Sequence, residues 1–217
     1  AYAAYDATRA GLDKAAILGL ARGDFAAFSA DERNALEFAR KMTVASSKVT
    51  DDEFAALVKA YGEKKAAAMV LLMAYSNFQD RLLIVLGAPV EEDGPMAPVA
   101  VAFRPEMLSS HAAPPSPPTI SDLPKPSGKD SIDDAEDWAA TSYERLQEKL
   151  EAQRRKPTRL RVPTFDEVMK GLPPGAEMHG RRVVWSLVAS GYCPELAAPW
   201  ETVMWINGEE NGKRFDR

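Results

Sequence analysis

Cysteine is almost absent: Cys193 is the one thiol in 217 residues. That excludes an intramolecular disulfide framework and points to a reducing compartment, the cytoplasm. Long apolar runs are missing too. The unbroken stretch Ala66 to Tyr75 is half the roughly 20 residues a membrane span requires, and Asn77, Gln79, Asp80 and Arg81 follow at once, so a soluble core helix covered on most sides is expected there, with no membrane partner. Basic charge is not in excess. Lys and Arg number 27 against 32 Asp and Glu, for a net charge of −5 and a pI near 5.2, which argues against nucleic acid as a partner. The first residues mix Ala and Tyr with Asp6 and Arg9 and lack the apolar run of a signal peptide. The chain opens on Ala rather than Met, which suggests a removed leader or a piece of a longer protein. Histidine is scarce: His111 lies in a Pro/Ser-rich stretch with no metal-ligand companions, so no metal site is expected.

Helix signals are abundant. Ala1 to Ala10 reads as helix closed by Gly11, and Lys14 to Ala21 as a short helix after Asp13, ended by Gly23. Ser29 to Gly87 reads as three consecutive helices sharing one core. Ser29-Ala-Asp-Glu32 is a capping box, in which Ser and Glu each satisfy the other's backbone N–H. Leu36, Ala39 and Met42 follow at helical spacing. Thr50-Asp-Asp-Glu53 repeats the device ahead of Phe54, Leu57, Val58 and Tyr61, and Gly62 is expected to end that helix in the left-handed conformation. A third helix runs from about Glu63 to Leu86, with Met69 and Met73 as core filler.

Ten of the 16 prolines fall between Ala88 and Asp130, including Pro114-Pro115-Ser-Pro117-Pro118. This composition favours an extended linker or wrapping arm, and a structureless loop of this length marks a boundary. The expected organisation is all-α: a helical domain over 1–90, a Pro-rich linker or arm over 91–130, and a helical region over 131–217. In the last, Ser131 to about Lys156 is expected as a helix with acidic first turns and a basic end, the order its dipole favours, and Arg159 and Arg161 extend that basic patch. Thr164-Phe-Asp-Glu167 is a third capping box, heading a helix to Leu172. Arg181 to Tyr192 and Pro194 to about Asn207 are further helices, with Trp185, Trp200 and Trp205 supplying apolar area. Cys193 reads as a buried small hydrophobe, and Gly208-Glu209-Glu210-Asn211-Gly212 as an exposed turn.

The stretch ADERNALEFARKMT, followed by VTDDEFAALVKAYGEKKAAAMVLLMAYSNFQDRLLIVLGAPVE, resembles the back half of the carboxymuconolactone decarboxylase / alkyl hydroperoxidase D-like fold. The aromatic-Asn-Phe-x-x-Arg-Leu ending is Tyr75-Ser-Asn77-Phe78-Gln-Asp-Arg81-Leu82 here. Residues 1–90 carry this likeness, and VVWSLVASGYCPELAAPWETVMW resembles the front of a second copy from about residue 160. Whether residues 160–217 instead pack against residues 1–90 to complete one bundle is left open.

The resemblance implies a thiol-dependent peroxidase-like oxidoreductase acting on hydroperoxides without a cofactor, as a homo-oligomer. Its Cys-x-x-Cys helix would place the second cysteine two positions before Ala1, and its histidine at Ala3, so the catalytic pair is either outside this sequence or absent, and the histidine is not at its expected place. Tyr2 and Tyr5 are the neighbouring titratable groups, beside Asp6, though aromatic residues on such a helix usually pack. Asn77 and Arg81, four apart on one helix face, are the candidate substrate-binding pair, against a plain role in capping and ion pairing. The alternatives are a cofactor-free lactone-acid decarboxylase, with Arg81 holding the carboxylate, and a non-catalytic oligomeric scaffold that keeps the fold.

Overall fold

Local capping chemistry sets where the helices begin. The computed structural model describes residues 2–87, 142–176, 178 and 183–201, and among these the secondary structure is helical with no strand. The elements are α1 (Tyr2–Arg9), α2 (Lys14–Arg22), α3 (Ala30–Ala45), a 3-10 turn at Ser46–Lys48, α4 (Asp51–Leu86), α5 (Tyr143–Arg155), α6 (Phe165–Gly171) and α7 (Val184–Tyr192). Residues 194–201 are again helical. The linker over 91–130, the turns before Ser142 with Trp138, and His111, His179, Trp205, Glu209 and Glu210 lie outside the described residues.

All three capping boxes form. The Glu32 N–H donates to Ser29 Oγ at 3.3 Å while the Ser29 N–H donates to Glu32 Oε2 at 2.9 Å. Thr50 and Glu53 repeat the exchange at 3.3 and 2.7 Å, as do Thr164 and Glu167. At α2 the Asp13 carboxylate accepts from the Ala16 N–H at 2.8 Å, and Gly23 closes the helix in the left-handed region at φ 73° and ψ 20°. Two starts differ from expectation. Ser142 sits at φ −71° and ψ 159° with its hydroxyl accepting from the Arg145 N–H, so α5 begins after it rather than running through from Ser131; a serine hydroxyl favours a cap over a helix interior. Val183 is likewise extended, so α7 begins at Val184.

The described residues fall into two compact units: residues 2–36 with 79–87, and residues 37–78 with the described residues from 142 to 201. In the first, α1 packs on α2, burying Ala4, Thr8 and Ile17. Burial of Thr8 is tolerated because its hydroxyl donates to the Ala4 carbonyl at 2.9 Å.

In the second unit, Phe38 meets Phe54 with ring centroids 6.3 Å apart, and Leu57 is 2 % exposed beside them. Lys41 Nζ donates to both oxygens of Glu53, at 2.7 and 2.9 Å. That contact and the Thr50 cap hold the Glu53 carboxyl down at about 2. The later residues build their own cluster, with Val168, Met178 and Leu187 buried and Val162, Phe165 and Leu172 packed against them. Helix α7 lies so close to the strap before α6 that a Cβ on Gly191 would collide with the Pro163 ring.

Two expectations about α4 change. Gly62 does not adopt the left-handed conformation: its φ of 78° and ψ of 159° lie in the extended positive-φ region that is essentially glycine's alone. The extended ψ re-aims the chain into a second helical arm, where Gly23 instead turns it back. Nor is the second arm covered on most sides. Ala66 and Ala67 are buried and Met69 and Met73 half-buried, but Leu72 is 56 % exposed, Ile84 78 %, Val85 83 % and Leu86 74 %, because the cover thins out towards the end of the helix. By length and composition alone, α4 is the one helix among the described residues that could cross a membrane.

Gly62→Ala places a Cβ in open space, so any cost comes from backbone strain rather than collision. The expected loss is about 1–3 kcal/mol, read by thermal denaturation as a fall in Tm of roughly 2–4 °C per kcal/mol; an unchanged Tm would show that the break relaxes without glycine.

Candidate functional site

The titratable groups of the second unit converge where α4 breaks. Glu63, the first residue after Gly62, accepts a hydrogen bond from the Tyr192 hydroxyl at 3.2 Å. Burial and the facing Glu63 carboxylate raise the Tyr192 phenol above its ordinary range, so it stays a donor. Arg161 forks onto Glu167, with its two terminal nitrogens 3.0 and 3.3 Å from the carboxylate oxygens. Together with the Thr164 cap, that pair holds the Glu167 carboxyl at about 2. Planar guanidinium against planar carboxylate is the geometry in which arginine outperforms lysine.

A second clasp lies at the start of α4. Arg159 Nε donates to Asp51 Oδ1 at 2.7 Å, another of its nitrogens donates to the Val49 carbonyl at 2.6 Å, and the guanidinium lies 5.8 Å from the Phe54 ring centroid. The basic patch expected from Arg159 and Arg161 is therefore divided, each cation being engaged by a different carboxylate. An open depression of about 580 Å³ remains on α5, lined by Lys149, Ala152, Gln153, Arg155 and Lys156.

Cys193 stands beside the break. It follows α7, is 2 % exposed, and its thiol donates to the Lys64 carbonyl at 3.4 Å. Burial raises its pKa; Lys64 opposes this and Glu195 adds to it. A nucleophilic cysteine needs the reverse, an exposed cationic setting that favours the thiolate. One helical face above it, Ser186 and Ser190 are fully buried. The Ser186 hydroxyl donates to the Glu201 carboxylate, and Ser190 Oγ has no hydrogen-bond partner among the described residues. Trp200 meets Phe78 edge-on, with centroids 5.4 Å apart. Residues 192–200 thus pack directly on α4, the contact that the sequence left open.

Tyr2 and Tyr5 lie on α1, with side chains outside the described residues. Asn77 is half-buried and Arg81 exposed, one turn apart on α4. Asn77 does not meet the Glu63–Tyr192 contact. Among the described residues no group of three or more His, Cys, Asp or Glu side chains is placed to hold a metal ion. Sequence reasoning missed Glu63, Tyr192 and the Arg159 clasp. Their partners lie 129 and 108 residues apart along the chain, and nothing local marks such a pairing.

Comparison with protein-family models, with curated proteins and with solved structures finds no match. What these groups can do follows from their own geometry. The carboxylates are paired and ionised, the tyrosine is a held donor and the cysteine is a protonated buried thiol. That combination fastens helices to α4. It does not present a nucleophile. Accordingly, Cys193 in the native chain should react with a chromogenic disulfide reagent at least ~10-fold more slowly than after unfolding in guanidinium, since attack requires an exposed thiolate; equal rates would show the thiol to be accessible.

Proposed function

We propose that this chain is an association module of the alkyl hydroperoxidase D-like type, acting as a homo-oligomeric scaffold rather than through a nucleophile of its own. The observation that carries this reading is the second arm of α4. Leu72, Tyr75, Phe78, Leu82, Val85 and Leu86 are large apolar side chains, all exposed along one helix. A contiguous apolar face of this kind marks a surface made to be covered. The hydroperoxide-reducing reading needs a cysteine pair outside this sequence, and the one thiol present, Cys193, is buried. The decarboxylase reading asks for an enclosed cation, and Arg81 is exposed.

Sedimentation velocity across a micromolar concentration series tests the proposal. The 217-residue chain should pass from monomer to a discrete oligomer as concentration rises. A monomer at every concentration would contradict the scaffold reading.

A further inference from the structure

We infer that the second arm of α4 pairs with a second copy of itself, antiparallel, about a two-fold axis near Asn77. This rests on the association reading above and names its surface and its partner. Apart from Gly62 the helix is regular, so the face that any residue of residues 63–86 occupies follows from helical periodicity alone. Ala68, Leu72, Tyr75, Gln79, Leu82 and Leu86 recur at alternating steps of four and three, the a/d seam of a coiled coil. Leu72 is 56 %, Leu82 45 % and Leu86 74 % exposed. Phe78, which also meets Trp200, and Val85 flank the seam on one side and Leu83 on the other, while Ile84 and the charged pair Asp80 and Arg81 fall outside it.

The seam matches itself when reversed. Antiparallel pairing sets Ala68 opposite Leu86 of the second copy, Leu72 opposite Leu82, and Tyr75 opposite Gln79, each contact occurring twice. Small meets large at the ends and leucine meets leucine between. The one polar seam residue meets the one seam hydroxyl, so the Gln79 amide gains a partner as it leaves water. A parallel pair would set Ala68 against Ala68 and leave a gap. Both flanks are uncharged, so no like charges oppose each other. Taking roughly 150–200 Å² for a fully exposed large side chain, the lower part of the aromatic range, the face apart from Phe78 offers about 500 Å² per copy, or ~1,000 Å² for the pair, the least expected of a specific interface. Contacts of this isologous kind close into a dimer rather than a fibre.

A charge swap tests both surface and orientation by sedimentation velocity on the full 217-residue chain, with circular dichroism to confirm retained helix. Leu72→Glu and Leu82→Lys should each weaken the dimer at least ~10-fold. The double variant L72E/L82K should restore it, because every new glutamate then faces a new lysine of the other copy. Single variants that dimerise like the parent would overturn this interface while leaving the association reading intact. Single variants that dissociate without rescue in the double would overturn the antiparallel register. A parent chain that stays monomeric would overturn both, and a monomer that co-sediments with phosphatidylcholine vesicles would assign the face to lipid instead.

Discussion

One glycine governs how α4 is used. At φ 78° and ψ 159°, Gly62 interrupts the helix for a single residue and splits it into two arms with different duties. The first arm is a packing element: Phe54 and Leu57 are buried, Glu53 is gripped by Lys41, and Asp51 is held by Arg159. The second arm is anchored just past the break, where Glu63 and Lys64 take Tyr192 and Cys193 and where Ala66 and Ala67 are buried. Beyond that anchorage Phe78 meets Trp200, and the rest of its apolar side is exposed. A residue with a Cβ would pay about 1–3 kcal/mol to hold the same backbone, so the division depends on glycine at that position.

The polar groups around the break contribute order more than chemistry. Arg161, Glu167, Tyr192 and Glu63 each have a defined partner, and those partners link the strap at residues 161–164, α6, α7 and α4 within one unit. Exposed ion pairs of this kind contribute little energy individually. Their value lies in register: they set which turn of α7 meets which turn of α4, and the small residues Ser186, Ala189, Ser190 and Ala197 then bury almost completely. The same burial takes Cys193 out of contention as a nucleophile.

How much of this was legible depended on distance along the chain. The boxes at Ser29–Glu32, Thr50–Glu53 and Thr164–Glu167 were readable because both members lie within one helical turn, and each formed as read. The all-α character followed from the same local signals. The break at Gly62 was readable but its conformation was not, since glycine serves the left-handed and the extended positive-φ regions alike. The opposite error occurred at Leu72 to Leu86. An apolar run signals that a surface needs covering without saying what covers it, and the described neighbours cover that side only at Phe78. Contacts such as Arg159 to Asp51 join residues 108 apart and have no local signature.

The central claim is that the second arm of α4 is a surface for covering, and hydrogen–deuterium exchange as a function of protein concentration tests it most directly. The account predicts that amides between Glu63 and Leu86 gain protection as concentration rises, most strongly from Leu72 to Leu86, while those of α2 and α6 stay constant. Exchange in that arm that is independent of concentration would contradict the claim.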